Sequence, residues 1–282
     1  MRRDFADWAK LRLRESSVFT VLLGDISVGL FVDSDERLPD RCFNIGILEQ
    51  SMVSLAAGLS KAGFDVLVHT ISPFIVERAF EQIKLDICYN KNKVVFVSAN
   101  SPFEYNKLGP THHCSNDVPL FSLLVNSFEI RLPVKNKDVS RHLEESFRSV
   151  FSSYIRLCGY ERADFEFCNI PVNEITYNSN LSGQVYSNSI TVLIGEAVYI
   201  DSAISCKRST DYFIVIDKLP LDGEILKSVS RFKDIHVFEP YSLPIVANRV
   251  RSLNQGSNVF SHCYPPSMED GIFNMPTFIN MS

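Results

Sequence analysis

The chain lacks the marks of several large protein classes. Its 282 residues carry 28 Lys+Arg against 33 Asp+Glu, a net charge of −5, so it has no basic footprint of a nucleic-acid binder. The longest apolar stretch near the N-terminus, Val18–Val32, is broken by Gly24, Asp25 and Gly29 and is too short to span a bilayer. The opening Met1-Arg2-Arg3-Asp4-Phe5-Ala6-Asp7-Trp8 has no apolar core of a signal peptide, which points to the cytoplasm. No Cys-x-x-Cys occurs among the seven cysteines, and their number is odd. Free, buried thiols in a reducing compartment are the expected state, not a disulfide framework. The sequon Asn180-Leu181-Ser182 carries no meaning in that compartment. G-x-G-x-x-G, Walker A and G-x-S-x-G are all missing, which disfavours a nicotinamide enzyme, a P-loop NTPase and an α/β-hydrolase. There is no internal repeat and no low-complexity segment.

What is present is ordinary globular material, 45% hydrophobic and 22% charged. That is enough for two cores without staples. Strand-like runs alternate with helix-period stretches. Val18–Leu23, Asp65–His69, Val94–Ser98, Phe128–Leu132 and Phe165–Asn169 read as strands. Glu49–Lys61 reads as a helix with Met52, Val53, Leu55, Ala56 and Leu59 on one face, stopped by Gly63. Phe74–Tyr89 is expected as a second helix, with Phe80, Ile83 and Ile87 in one stripe, and Asp138–Tyr154 as a third. The stretch from Asn173 to Asn188, with four Asn, three Ser and one Gly, reads as a linker. Beyond it the pattern restarts: strands at Ile190–Ile194, Phe213–Ile216 and His236–Phe238, helices at Ala197–Cys206, Gly223–Phe232 and Leu243–Leu253. Strands separated by single helices imply parallel sheets with crossover helices. The expected class is α/β with two domains, 1–172 and 188–264, a linker at 173–187 and a patternless tail at 265–282.

In such sheets ligands sit beyond the carboxyl ends of the strands, and three segments stand out there. Asn44-Ile45-Gly46-Ile47-Leu48-Glu49-Gln50 puts a carboxylate at the start of an apolar helix. Glu49 shares a face with Met52, Ala56 and Leu59 and so points inward; buried carboxylates as a class serve as proton or hydrogen-bond donors at neutral pH. The plainer reading is a first-turn acid in solvent, favoured by the helix dipole. Ser72–Ile83 places Phe74 at a helix start, where it can stack on a flat ring or simply fill a core. Leu108-Gly109-Pro110-Thr111-His112-His113 follows a long loop from Asn100 to Asp117, longer than the about 12–15 residues usual for a plain connection. It presents two imidazoles suited to proton transfer or substrate binding, or two solvent-facing histidines on a turn. Zinc with Cys114 does not match usual ligand spacing.

Together, in this order, the segments resemble the pyrimidine-binding domain of the transketolase family, including the 1-deoxyxylulose-phosphate synthases. The resemblance runs over about residues 15–170 and rests on Leu23-Gly24-Asp25, Asn44–Gln50, Leu55-Ala56-Ala57-Gly58-Leu59, Arg78–Ile83 and Gly109–His113. The second domain resembles the family's C-terminal domain more generically, through Ile190–Gly195, Pro220-Leu221-Asp222 and Val237-Phe238-Glu239. The resemblance implies that Glu49 binds N1′ of the thiamine diphosphate aminopyrimidine and helps activate the cofactor, which carries the hard chemistry. It implies Phe74 stacked on the pyrimidine, with Ile75 the alternative in the register, and Ile47 and Asp25 beside the cofactor. It implies His112 as a catalytic and substrate-binding residue, with His113 and Asn100 also on the substrate side.

The family's Gly-Asp-Gly signature for diphosphate and Mg²⁺ is missing; Gly24-Asp25-Ile26, Asp222-Gly223 and Asp270-Gly271 lack the rest of it. No metal ligand is therefore expected in this chain. The resemblance then implies the C-terminal half of a split transketolase, partnered by an N-terminal-type subunit that carries Gly-Asp-Gly and Mg²⁺, in an α2β2 heterotetramer around a homodimeric core. No nucleic acid and no membrane are expected as partners. Phe167–Pro171 offers no Arg where sugar-phosphate members usually have one, and Phe103–Leu108 differs from housekeeping transketolases. Two-carbon ketol transfer in specialised carbohydrate biosynthesis is the expected activity. A 2-oxoacid dehydrogenase or decarboxylase β-type subunit and a non-catalytic scaffold are the alternatives.

Overall fold

The computed structural model describes residues 1–99, 104–105, 108–124, 128–159, 171–178, 188–199, 201–253, 256–263 and 279–281. The chain divides into two compact units, Met1–Gly159 and Tyr160–Ser282.

The first unit runs α1 (Arg2–Glu15), β1 (Phe19–Leu23), β2 (Cys42–Asn44), α2 (Glu49–Lys61), β3 (Asp65–Ile71), α3 (Phe80–Gln82), β4 (Val94–Ala99), α4 (Asp117–Ser122), β5 (Phe128–Arg131), α5 (Asp138–Arg148) and β6 (Ser152–Arg156). Its strands lie in the order β5-β6-β4-β3-β1-β2 and every pair is parallel. β1 is flanked by β2 on one side and β3 on the other, so the winding reverses between β1 and β3, where an open parallel sheet forms its binding crevice. β1 and β4 are buried along their whole length, as near-continuous apolar strands covered on both faces should be. α2 buries Met52, Val53, Ala56 and Ala57 and ends where Gly63 takes φ +92; the Gly63 N–H bonds to the Ser60 carbonyl at 3.0 Å and the Phe64 N–H to that of Leu59 at 3.1 Å. Leu55, read as part of the buried face, is exposed.

Several expectations are corrected. α1 went unread; its Phe5, Ala6, Ala9 and Leu13 are buried, and Trp8 donates to Glu144 Oε1 at 2.8 Å and stacks on Phe147. The helix expected to run to Tyr154 ends at Arg148, and the chain returns as β6, paired with both β4 and β5. Its polar residues disguised a central strand: the Val94 N–H donates to Ser152 Oγ at 3.1 Å, and Ser98 Oγ donates to Tyr154 Oη at 3.0 Å. The segment Phe74–Tyr89 is helical but mostly π-helical, at Phe74–Arg78 and Ile83–Tyr89 around the single turn of α3. The strand expected at Phe165–Asn169 lies outside the described residues.

The second unit runs β7 (Thr176–Tyr177), β8 (Ser189–Ile194), α6 (Asp201–Ser209), β9 (Tyr212–Ile216), β10 (Lys218–Leu219), α7 (Gly223–Val229), β11 (Asp234–Glu239), α8 (Ile245–Leu253), β12 (Asn258–Cys263) and β13 (Ile279–Met281). Its sheet has the order β13-β12-β11-β8-β9-β7, parallel except for the antiparallel edge strands β7 and β13. The segment read as a linker thus contributes an edge strand, and Val172 bridges to Val215. The tail read as patternless supplies β13, and β12 went unread. Asp222 caps α7 by accepting the Glu224 N–H at 2.8 Å. The six described cysteines are free, and burial pushes the Cys42 and Cys263 thiols up to about 12, so neither is a reactive thiolate. No helix among the described residues is long and apolar enough to cross a membrane.

Candidate active site

The site is built at the carboxyl ends of β1, β2, β3 and β4 in the first unit. β1 ends at Gly24, and a Cβ there would lie 2.9 Å from both Cβ and Oγ1 of Thr70; only glycine lets the two strand ends run this close. The next residue, Asp25, has φ 57. Its N–H donates to Asn44 Oδ1 at 3.0 Å, and Asn44 Nδ2 donates back to Asp25 Oδ1 at 3.0 Å. The Gly46 N–H adds a bond to Asn44 Oδ1 at 3.2 Å. This clip joins the ends of β1 and β2 and sets the entry into α2.

Glu49 is the first residue of α2 and is 0% exposed. A first-turn acid in solvent is therefore excluded. Thr70 Oγ1 lies 3.4 Å from its Oε1, and Arg78 Nη1 donates to its Oε2 at 2.6 Å. A buried carboxylate needs such partners, because an uncompensated one is costly. The helix N-terminus adds a favourable dipole.

The same arginine defines the next contact. Arg78 Cζ sits 4.0 Å from the Phe74 ring centroid, a cation–π arrangement on the π-helical turn that follows β3. Ring insertions of this kind recur at functional sites. Phe74 is half-buried whereas Ile75 is fully buried, so Phe74 is the ring offered to the crevice. Its far neighbour is His112, edge-on at 5.5 Å between centroids, and Tyr105 packs on His112 at 6.1 Å. Thr111 Oγ1 holds His112 Nδ1 at 2.9 Å. The Tyr105 phenol is held above its ordinary value chiefly by burial and stays a hydrogen-bond donor. Glu49, Arg78, Phe74, His112 and Tyr105 thus form one line of contacts drawn from three loops.

The other expected residues fall around this line. His113 is buried, at 8% exposure, inside the turn that carries His112; neither solvent-facing histidines nor a matched imidazole pair describes it. Ile47 is 62% exposed, and Asp25 is committed to Asn44 in the clip. Asn100 lies outside the described residues. Burial raises the Cys114 thiol well above its ordinary value, and among the described residues no group of three His, Cys, Asp or Glu could hold a metal.

Sequence reading gave no role to the network beneath. Arg156, at the end of β6, and Asp117 are both fully buried and pair at 2.8 Å. Tyr154 Oη donates to Asp117 Oδ2 at 2.8 Å and lies 3.2 Å from Ser72 Oγ. Ser72 leads into the turn bearing Phe74, and Asp117 follows the loop bearing His112. One core strand, β6, thereby fixes both site loops. The strand that closes the unit in chain order is β6, so its terminal arginine exists, but the guanidinium is spent on Asp117. The segment Phe167–Pro171, where an arginine was sought, lies outside the described residues up to Ile170. Arg78 was visible as the cation within Ser72–Ile83, four residues after Phe74; that spacing was the available signal.

The first unit is thus a doubly wound domain with a buried helix-start carboxylate, an aromatic ring and a loop histidine at its switch point. The family model for the transketolase pyrimidine-binding domain matches residues 8–158, and the chain belongs to that family. It is 31% identical over 176 residues to an apulose-4-phosphate transketolase subunit of Actinobacillus succinogenes, covering 60% of this chain and 54% of that one. It is 28% identical over 208 residues to the subunit of the same name in Phocaeicola vulgatus, covering 70% and 63%. The chain thus spans less than two thirds of these relatives' length. Among solved structures, a protein described as split gene transketolase, inactive beta4 tetramer, superposes with a TM-score of 0.74 at 21% identity, covering 95% of this chain and 90% of that one. That likeness establishes the fold of both units.

Proposed function

We propose that this chain is the pyrimidine-binding subunit of a split transketolase that moves a two-carbon ketol unit between sugars in specialised carbohydrate biosynthesis. The observation that carries the reading is Glu49: a fully buried carboxylate at the switch-point crevice, linked through Arg78 to the half-buried Phe74 ring and from there to His112. The family points to thiamine diphosphate. The described residues fit its pyrimidine half, because the planar guanidinium of Arg78 already makes the two contacts a flat N–H heterocycle needs, one to Glu49 and one to Phe74. The sequence lacks Gly-Asp-Gly, and we place that motif with Mg²⁺ on a partner that completes the site, in an α2β2 assembly of the cytoplasm. The β-chain relative described as an inactive tetramer supports that dependence.

When bound, thiamine diphosphate supplies the carbon nucleophile and electron sink for ketol transfer. The chain's own residues do the rest. Glu49 Oε2 holds or shares a proton with the ring nitrogen, and the Thr70 hydroxyl orients Oε1. Phe74 stacks on the ring and keeps water off one face. His112, with Nδ1 tied to Thr111, offers Nε2 to a sugar hydroxyl. His113 supports the loop from beneath, while Asp25 and Ile47 shape the entry to α2. Asn100 is proposed as a further substrate contact.

Calorimetric titration of thiamine diphosphate with Mg²⁺ tests this, into the chain alone and into the chain with a Gly-Asp-Gly partner. Binding in the mixture only is expected. In that complex Glu49→Gln should lower turnover by roughly 10²–10⁴-fold, the range for a lost acid–base group. No binding in a folded complex, or unchanged turnover of the variant, would leave a scaffold subunit.

A further inference from the structure

No catalytic step has been assigned to Arg78, yet it touches both groups on which the proposed function depends. Its Nη1 lies 2.6 Å from Glu49 Oε2, and its Cζ lies 4.0 Å from the Phe74 centroid. We propose that the Arg78 side chain occupies the pyrimidine place in the free chain and must leave before a flat heterocycle can bind there. The inference rests on the pyrimidine-site reading of Glu49 and Phe74.

The physical case is one of shape and exclusion. A guanidinium is planar and delocalised, with a donor edge and a stacking face. An aminopyrimidine has the same two features. A guanidinium 2.6 Å from Glu49 Oε2 and 4.0 Å from the Phe74 centroid fills the volume that a heterocycle making the same two contacts would need. The buried Glu49 needs a donor when no ligand is present, and Arg78 supplies it. The exit is open: the Arg78 side chain is 39% exposed against 0% for Glu49, so it can move to water without disturbing the core. The site is thus filled by its own chain until something better arrives. A binding site closed in this way shows an affinity reduced by the fraction of closed molecules. A partner subunit that draws Arg78 outward would raise affinity without touching the ligand.

The test uses the full chain and 4-amino-5-hydroxymethyl-2-methylpyrimidine, which has no phosphate and needs no diphosphate half. Arg78→Met keeps an unbranched apolar stem but removes the planar head and its donors. It should bind the probe at least tenfold more tightly than wild type, and Glu49→Gln added to it should return the affinity to the wild-type level or below. Arg78→Lys, which keeps a charge for Glu49 but cannot stack as a plane, should fall between and carries the test if Arg78→Met does not fold. Side-chain ¹⁵N spectra provide a separate reading. The Arg78 guanidinium signal, assigned by its loss in Arg78→Lys, should be ring-shifted in the free chain and move to the solvent-exposed position with saturating probe. Equal or weaker binding by the Arg78 variants, absence of binding in all of them included, overturns the proposal. Tighter binding that ignores Glu49→Gln overturns the pyrimidine-site reading, and the inference with it.

Discussion

The two units solve one problem in different ways. Each winds a parallel sheet and places a fully buried glutamate next to the start of a helix: Glu49 in the first, Glu239 in the second. Glu239 is consumed by its own backbone. The N–H groups of Val246 and Ala247 donate to it at 2.8 and 2.9 Å, and Tyr241 Oη donates at 2.5 Å. It caps α8 and has no valence left for a ligand. Glu49 has no bond to its helix backbone among its partners. Its oxygens meet two side chains, a distant hydroxyl and a half-exposed guanidinium. The difference is between partners that cannot leave and one that can. A buried carboxylate becomes a site when its counter-group sits on a flexible stem.

The sharpest way to break this comparison is to remove a fixed partner from the first unit. Asp117→Ala would remove the carboxylate that pairs with the buried Arg156 and accepts from Tyr154 Oη. A loss of about 3–5 kcal/mol is expected, the cost of breaking a buried pair. Hydrogen exchange by mass spectrometry should show it across β3, β4 and β6 and in both site loops, with the second unit unchanged. Equal loss of protection in β8 and β11 would mean that the units are not separate in stability.

Acid separates them next. Burial lowers His69 from 6.5 to about 4, against its hydrogen bond to the Val97 carbonyl, which raises it. A depressed basic group stabilises the fold above its unfolded value and loses that contribution as pH falls to the folded one. The first unit should therefore lose about 3 kcal/mol between pH 6.5 and 4. Burial raises Glu239 from 4.5 to about 7, against its hydrogen bonds. This has the opposite sign: the contribution is present below pH 4.5 and lost as pH rises through 7. It partly offsets His262, which burial lowers to about 4, and His236, which burial also lowers. Urea midpoints of the two units, followed from pH 7 to 4, should diverge, the first falling further. Parallel curves would refute it.

The smallest effect sharpens the contrast. Glu239→Gln keeps one acceptor but turns an amide donor toward the helix backbone. A loss of about 1–2 kcal/mol in the second unit is expected, with cofactor affinity of the assembled enzyme unchanged. A thermal melt and a cofactor titration check it together, and any fall in affinity would give the second unit a share in the site.

Much of this was legible. The parallel class followed from apolar runs such as Val94–Ser98 alternating with helix-period stretches; the face shared with Met52 and Ala56 allowed a buried Glu49 beside a solvent-facing one, and only the resemblance of the combined motifs singled it out. What escaped was set by distant partners. Ser152-Ser153-Tyr154-Ile155-Arg156 looks like the end of a helix until Ser98, Ser72 and Asp117 satisfy it from elsewhere in the chain. β12 and β13 exist because β11 has an edge to cover. The first helix lacked a visible partner, since Glu144 and Phe147 come more than a hundred residues later. Arg78 was seen as part of a motif, but its bond to Glu49 spans 29 residues and no local pattern announces it.

That late partner of α1 has a consequence during synthesis. The first helix leaves the ribosome with Phe5, Trp8 and Leu13 available, and the hydrogen bond of Trp8 must wait for a residue 136 positions further on. At ordinary elongation rates the wait is on the order of ten seconds. For that time the nascent chain offers an amphipathic helix with an unfilled aromatic face, the kind of surface that chaperones hold and that neighbouring nascent chains find.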